Sequence, residues 1–173
     1  MSSPTSEWLP TFETLLLKRK GRLLTITFNL PDTMNAVTAT MHAELPEAIV
    51  FASNDPHSDV IVLTGAGKAF SAGGDMAHIQ SHAANPSQFD EEVRQAKRIV
   101  FAILDMEKPL ICRMNGHAVG LGATLALFCD VIFAADSARI GDPHVAIGLV
   151  AGDGGALIWP QRIGICLAKE FLL

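Results

Sequence analysis

Apolar positions along the chain follow two patterns: short runs that are continuous or alternate with polar residues, and longer stretches in which they return every three or four positions. Residues 12–19 and 22–28 carry the first pattern and meet at Lys20-Gly21, which predicts an opening hairpin. A loop over residues 29–35 follows, and Thr38 can cap a helix toward Ser53 that Pro46 should kink or divide. Residues 60–64, Val-Ile-Val-Leu-Thr, are almost wholly apolar, as a strand covered on both faces would be, and lead into a glycine-rich stretch over 65–74. The polar, weakly patterned residues 76–88 read as a mobile flap. Phe89, Val93, Ala96, Ile99, Val100, Ile103 and Leu104 then recur at helical spacing, giving an amphipathic helix that ends before Pro109.

The second half repeats the cycle. Residues 110–112 form a buried strand, the Asn115-Gly116 turn passes through Gly120 and Gly122, and residues 123–128 make an apolar helix. Residues 131–134 are another strand, 139–149 a short strand and loop, and 152–163 and 166–173 two helical patterns. Repeated strand, turn and helix units predict an α/β fold, with residues 1–11 a flexible leader and 12–173 one core domain. The final helical pattern stops on apolar residues without a glycine cap or polar tail, so the chain is expected to be a fragment or to pack its end against something else.

Composition supports a globular domain: hydrophobic residues are 49% of the 173 and charged residues 18%, enough to bury a core. A formal net charge of -5, with no basic cluster beyond Lys18-Arg19-Lys20, argues against nucleic acid as a partner. The N-terminus lacks the basic and apolar regions of a signal peptide, and no apolar run approaches the roughly 18 residues that span a bilayer. A cytoplasmic location and no membrane partner are therefore expected. Cys112, Cys129 and Cys166 are odd in number and set among apolar residues, which fits buried thiols in a reducing compartment and neither a disulfide framework nor a zinc site.

Several candidate motifs fall short. Gly65-Ala-Gly-Lys-Ala-Phe70 follows a strand as a dinucleotide fingerprint would, but Phe70 stands where the third glycine belongs. Ser71 lacks the first glycine of a nucleophile elbow. His78 and His82 could face one way on a helix, yet no third metal ligand stands near them, so they read as surface or flap histidines, as do His42 and His57. His117 sits within the central turn, where it either lines the site or serves the structure. What remains is glycine turns that lead into helices. Glycine lets backbone come close to a ligand, and the first amides of a helix are unpaired donors that stabilise negative charge.

The turns Phe70-Ser-Ala-Gly-Gly-Asp75 and Asn115-Gly-His-Ala-Val-Gly-Leu-Gly122, with Ile140-Gly-Asp-Pro-His-Val-Ala-Ile-Gly-Leu-Val-Ala-Gly-Asp-Gly-Gly155, resemble the crotonase (enoyl-CoA hydratase/isomerase) superfamily. The resemblance runs from about Phe12 to the last residue, includes Asn35-Ala36, and lacks the C-terminal helices through which members trimerise. It implies a crotonase-like spiral of ββα units and a thioester enolate held by two backbone amides, here those of Gly74 and Leu121. It also implies an acyl-CoA substrate lying along Asn35, Ala36, Val37, Ala72, Gly74, Asp75, Met76 and Gly120, coenzyme A present only as part of that substrate, no metal, and a homotrimer or dimer of trimers.

Two departures alter the chemistry. Hydratases of the family carry two glutamates where this chain has Thr124 and His144. Threonine neither gives nor takes a proton near neutral pH, so acid and base must come from elsewhere. His144 and Asp153, nine residues apart across a turn at Gly148, are the candidates, because an aspartate beside a histidine makes a competent base. Asp153 could instead cap the helix that follows. An enoyl-CoA hydratase/isomerase-type lyase or isomerase is the expected function. The alternatives are a β-diketone carbon-carbon hydrolase of the oxocamphor hydrolase type, suggested by the His144 and Asp153 pattern, and a non-catalytic acyl-CoA-binding or assembly subunit, suggested by the missing glutamates.

Overall fold

The computed structural model describes residues 8–83 and 86–173, and the side chains of all of these except 82, 83 and 86–89. The opening hairpin forms as expected: β1 (Leu15–Lys20) pairs antiparallel with β2 (Leu23–Phe28). To it are added, each parallel to its neighbour, β3 (Val60–Gly65), β4 (Leu110–Met114) and a strand over Val131–Ala134, β6 in chain order. A second, minor ladder joins β5 (Ala118–Val119) to β7 (Ile140–Gly141) and is continued by single bridges from Ser71 to Ala118 and from Val37 to Gly74.

The helices are α1 (Ala39–Asn54), α2 (Met76–Ala83), α3 (Pro86–Leu104), α4 (Leu121–Phe128), α5 (Gly155–Ile163) and α6 (Ile165–Leu172). Each main strand therefore passes through a short segment of the minor ladder before a helix begins: β2, Val37 and α1; β3, Ser71 to Gly74 and α2; β4, β5 and α4; β6, β7 and α5. This is the expected spiral of ββα units, and every helix start along it is delivered to the minor ladder.

Local chemistry sets the helix ends. The Thr38 hydroxyl accepts the Met41 N–H at 3.2 Å, the predicted cap of α1. Lys108 closes the other end of α1, donating to the carbonyls of Ala52 and Asp55 at 2.8 and 2.6 Å. All eight residues of α4 are buried, which accounts for its unbroken apolar sequence, and Arg162 donates to the Leu127 carbonyl beyond its core at 2.8 Å.

Three expectations need correction. Pro46 does not divide α1, which is continuous with Pro46 buried among Met41, His42, Leu45, Ala48 and Ile49; packing of this face outweighs the lost backbone bond. Residues 76–83 and 86–88 are helical rather than a flap. The Asp75 carboxylate accepts the His78 N–H at 2.8 Å and so starts α2, a helix too short for its period to stand out; residues 84 and 85 lie outside the described residues. Of the leader, residues 1–7 also lie outside, but the Trp8 ring meets Phe51 edge-on at 5.9 Å and Leu9 packs on the core. No helix among the described residues is long and apolar enough to cross a membrane.

Candidate active site

The two glycine turns are pressed together and braced by two asparagines. Asn115 donates to the carbonyls of Gly67 and Ala69, both at 3.0 Å, and accepts the Gly65 N–H at 3.0 Å. Asn35 donates to the carbonyls of Ala66 and Ala69 at 2.8 and 2.9 Å and accepts the Leu30 N–H at 3.0 Å. Gly116 touches the first turn so closely that a Cβ there would sit 1.9 Å from the Lys68 carbonyl oxygen. Asn35 is fully buried at a positive φ of 56°, a conformation asparagine tolerates better than most residues. Its side chain is thus engaged in three hydrogen bonds within the scaffold. Asn35→Ala should cost about 2 to 3 kcal/mol, since it leaves the Leu30 N–H and the Ala66 carbonyl without a partner and removes one of the two bonds to the Ala69 carbonyl; urea unfolding would measure it.

Farther along, the turns approach through Gly73 and Gly120, at φ +85° and +53°. A Cβ on Gly73 would lie 2.6 Å from the Val119 carbonyl oxygen, and one on Gly120 4.0 Å from Gly73 Cα. Glycine is required at Gly73 by both space and dihedral. Each glycine is followed by an amide of interest, Gly74 or Leu121. Among the described residues neither amide N–H has an acceptor, and that of Leu121 is the first of α4, where it meets the positive end of the helix.

His144 lies against the second turn, its Cε1 and Nε2 standing 3.5 and 3.7 Å from where a Gly120 Cβ would be. Its Nε2 is 3.4 Å from Asp153 Oδ2, so the expected pair is brought together, at ion-pair distance though outside hydrogen-bond geometry. Asp153 is oriented from its other oxygen, which accepts from the Thr124 hydroxyl at 3.3 Å and the Gly155 N–H at 3.2 Å. The N-cap of α5 is Gly154, so Asp153 does not cap the helix in the foreseen way; it bonds the first helical amide from one residue before the cap, and that bond coexists with the histidine contact. Gly155 also makes room: a Cβ there would be 3.3 Å from the Thr124 hydroxyl and 2.9 Å from Asp142 Oδ2.

Asp142 is the residue that sequence reasoning missed. Its Oδ1 accepts from His144 Nδ1–H in a short hydrogen bond and from the His144 backbone N–H at 3.2 Å. The available signal was Asp142-Pro143-His144, an Asx turn in which the carboxylate bonds two residues ahead. Asp142, His144 and Asp153 bring ligand-type atoms within 4.8 Å of one another, the one such group among the described residues. The carboxylates address different ring nitrogens, however, so a cation shared by all three would have to displace the Asp142 bond; a proton fits as the site stands.

The protonation balance follows from burial. Burial alone would lower the His144 pKa, but the hydrogen bond to Asp142 and the charges of Asp153 and Asp142 outweigh it and raise the pKa above the ordinary 6.5. Burial raises the Asp153 pKa above the ordinary 3.8, with the Asp142 charge adding to it against the opposing pull of His144, Gly155 and Thr124. Both groups bind protons more tightly folded than unfolded, so their contribution to stability is present at low pH and lost as pH rises through the folded values. Asp153→Asn should therefore stabilise the protein relative to wild type increasingly as pH rises above the ordinary carboxylate value of 3.8, as read from urea midpoints.

Other candidates take structural places. Ser71 is fully buried and its hydroxyl donates to the Asn35 carbonyl at 2.8 Å, leaving no nucleophile. Ala36 and Val37 are also buried, Val37 pairing with Gly74, whereas Ala72, Gly74 and Asp75 are half-buried and Met76 is exposed. His42 is not at the surface: it is buried on α1 with Nδ1 3.1 Å from Gln95 Oε1 and Nε2 3.6 Å from Glu92. His78 Nε2 pairs with the same Glu92 at 3.1 Å, and the side chain of His82 lies outside the described residues. His117 Nδ1 accepts the Arg139 N–H at 3.0 Å, which settles for structure over the site. Cys112 and Cys129 are buried, but Cys166 is exposed.

Comparison with known proteins agrees with this fold. Residues 18–173 match the family model for enoyl-CoA hydratase/isomerase. A crotonyl-CoA hydratase from Syntrophomonas wolfei is 34% identical over 163 residues, covering 93% of this chain and 62% of the relative. A mitochondrial enoyl-CoA hydratase from Pongo abelii is 32% identical over 94% of this chain and 56% of its own length. Among solved structures, an enoyl-CoA hydratase/isomerase from Mycobacterium paratuberculosis superposes with a TM-score of 0.87 at 38% identity, over 91% of this chain and 64% of that one. The chain thus spans less than two thirds of the length of these relatives. With nine-tenths of its residues matched in sequence and in fold, the chain belongs to the enoyl-CoA hydratase/isomerase family.

Proposed function

We propose that the protein adds water across the double bond of α,β-unsaturated acyl-CoA thioesters, and runs the reverse dehydration, with His144 and Asp153 in place of two glutamates. The observation that carries this is the pair of unpartnered amides, Gly74 and Leu121, on touching turns with His144 seated beside the second. Donors preorganised where oxyanion charge develops need no side chain and lose nothing in reorganisation.

As water oxygen bonds to the β-carbon, His144 Nε2 takes one of its protons and the double-bond electrons move into the thioester enolate. The enolate oxygen is held by the Gly74 and Leu121 N–H groups. Asp153, whose carboxyl burial biases toward the protonated form, then gives a proton to the α-carbon, and the proton on Nε2 crosses 3.4 Å to Asp153 to restore the start. Thr124 takes no proton; it orients the acid. Coenzyme A enters only as part of the substrate, along the half-buried Ala72 to Asp75 segment and exposed Met76. Exposed apolar residues on the edge strand β6 and on α6, with Phe133 64% and Ile165 65% accessible, support the burial of these faces in an oligomer.

Purified protein should consume crotonyl-CoA, seen as loss of the conjugated thioester's ultraviolet absorbance. Turnover of a bicyclic β-diketone but not of crotonyl-CoA would overturn this and support the diketone hydrolase, which would draw on the same dyad. Acyl-CoA binding without any turnover would instead make the protein a binder.

A further inference from the structure

We propose that Asp142 is a positioning residue that keeps the proton of His144 on Nδ1 and so leaves Nε2 free to act as base. This rests on the proposed function only in taking His144 to be the base. The geometry is specific: the Asp142 side chain is 1% accessible, and one of its oxygens takes both the ring Nδ1–H and the His144 backbone N–H. Two donors on one oxygen fix the ring's position and its tautomer together. Proline at 143 limits the backbone between them, and His144 itself sits in ordinary helical dihedrals, φ -54° and ψ -44°.

The opposing influence is Asp153. It faces Nε2 at 3.4 Å, and when ionised it would draw the ring proton to that nitrogen. A histidine with Nε2–H and a bare Nδ1 cannot accept a proton from water at the nitrogen nearest the turn. Asp142 prevents this by making Nδ1–H the better-bonded tautomer. The other oxygen, Asp142 Oδ2, is buried with no hydrogen-bond partner among the described residues, against Gly155. A carboxylate kept in that setting has its hydrogen bonding concentrated on the histidine. The same dependence of a base's tautomer on a buried aspartate operates in serine-protease triads.

The test is Asp142→Ala, followed by kcat and by ¹⁵N NMR of the His144 ring, its signals assigned by their absence from His144→Ala. The rate should fall by about 10²- to 10³-fold with KM within about threefold, and the ring should change from Nδ1-protonated to Nε2-protonated. Full activity, or an unchanged tautomer, would overturn the proposal. Asp142→Asn guards against a folding defect, since its rate and tautomer must move together: Nδ1–H with activity or Nε2–H without it. Activity with Nε2–H, or inactivity with Nδ1–H, would also overturn the proposal. His144→Ala separates the two levels, because activity in that variant removes the base itself, whereas an inactive His144→Ala beside a fully active Asp142→Ala removes only the role of Asp142.

Discussion

His144→Ala should lower kcat on crotonyl-CoA by about 10²- to 10⁴-fold while the protein stays folded. The ring is half-buried rather than in the core, and its packing neighbours include Gly120, which has no side chain to collapse into the space. Folding cost should therefore be small beside the kinetic one, and circular dichroism with a thermal melt would show it. The pairing of protonated His144 with Asp142 and Asp153 contributes most at low pH and is lost as pH rises through its raised pKa, so the variant's melt should fall relative to wild type more at low pH than at high. Wild-type kinetics in this variant would remove His144 from the mechanism.

The second large effect is expected at Gly73→Ala. A Cβ there meets the Val119 carbonyl oxygen at 2.6 Å, at a φ of +85° that alanine adopts only with strain. The contact is backbone on backbone, so no rotamer relieves it and the two turns must separate. The Gly74 N–H that follows is then displaced, and kcat should drop by about 10²- to 10³-fold, the cost of one oxyanion donor, with about 2 to 4 kcal/mol of stability lost. Gly141→Ala provides the contrast: nothing lies within 4 Å of its Cβ, and both rate and stability should change little.

How far the molecule was legible depended on length and on what each side chain bonds. The hairpin and α3 were readable because their periods run long enough to count, six residues per strand and 19 in the helix. The two-residue strands β5 and β7 have no period at all, and only tertiary pairing makes them a ladder. Helix α2 was hidden by its shortness, although Asp75 three residues before His78 was a cap in plain view.

At the site, the glycine turns and the His144–Asp153 pair stood out by motif, and the structure brings the pair together. Asn35 was placed along the substrate because of its neighbours in the motif; its left-handed backbone and three internal hydrogen bonds, which add a bracing role, were not legible from them. Thr124 was judged by the proton chemistry it cannot do, which hid the hydrogen bond it gives Asp153. Asp142 went unread within its motif, because a sequence does not say which of two nearby aspartates a histidine will turn to.

The most direct test is a crystal structure with an unreactive acyl-CoA thioester bound. The thioester oxygen should lie about 2.7 to 3.1 Å from both the Gly74 and Leu121 nitrogens, with His144 Nε2 facing the β-carbon side of the acyl chain. A thioester oxygen placed away from either amide, or a chain held beyond reach of His144, would contradict the account.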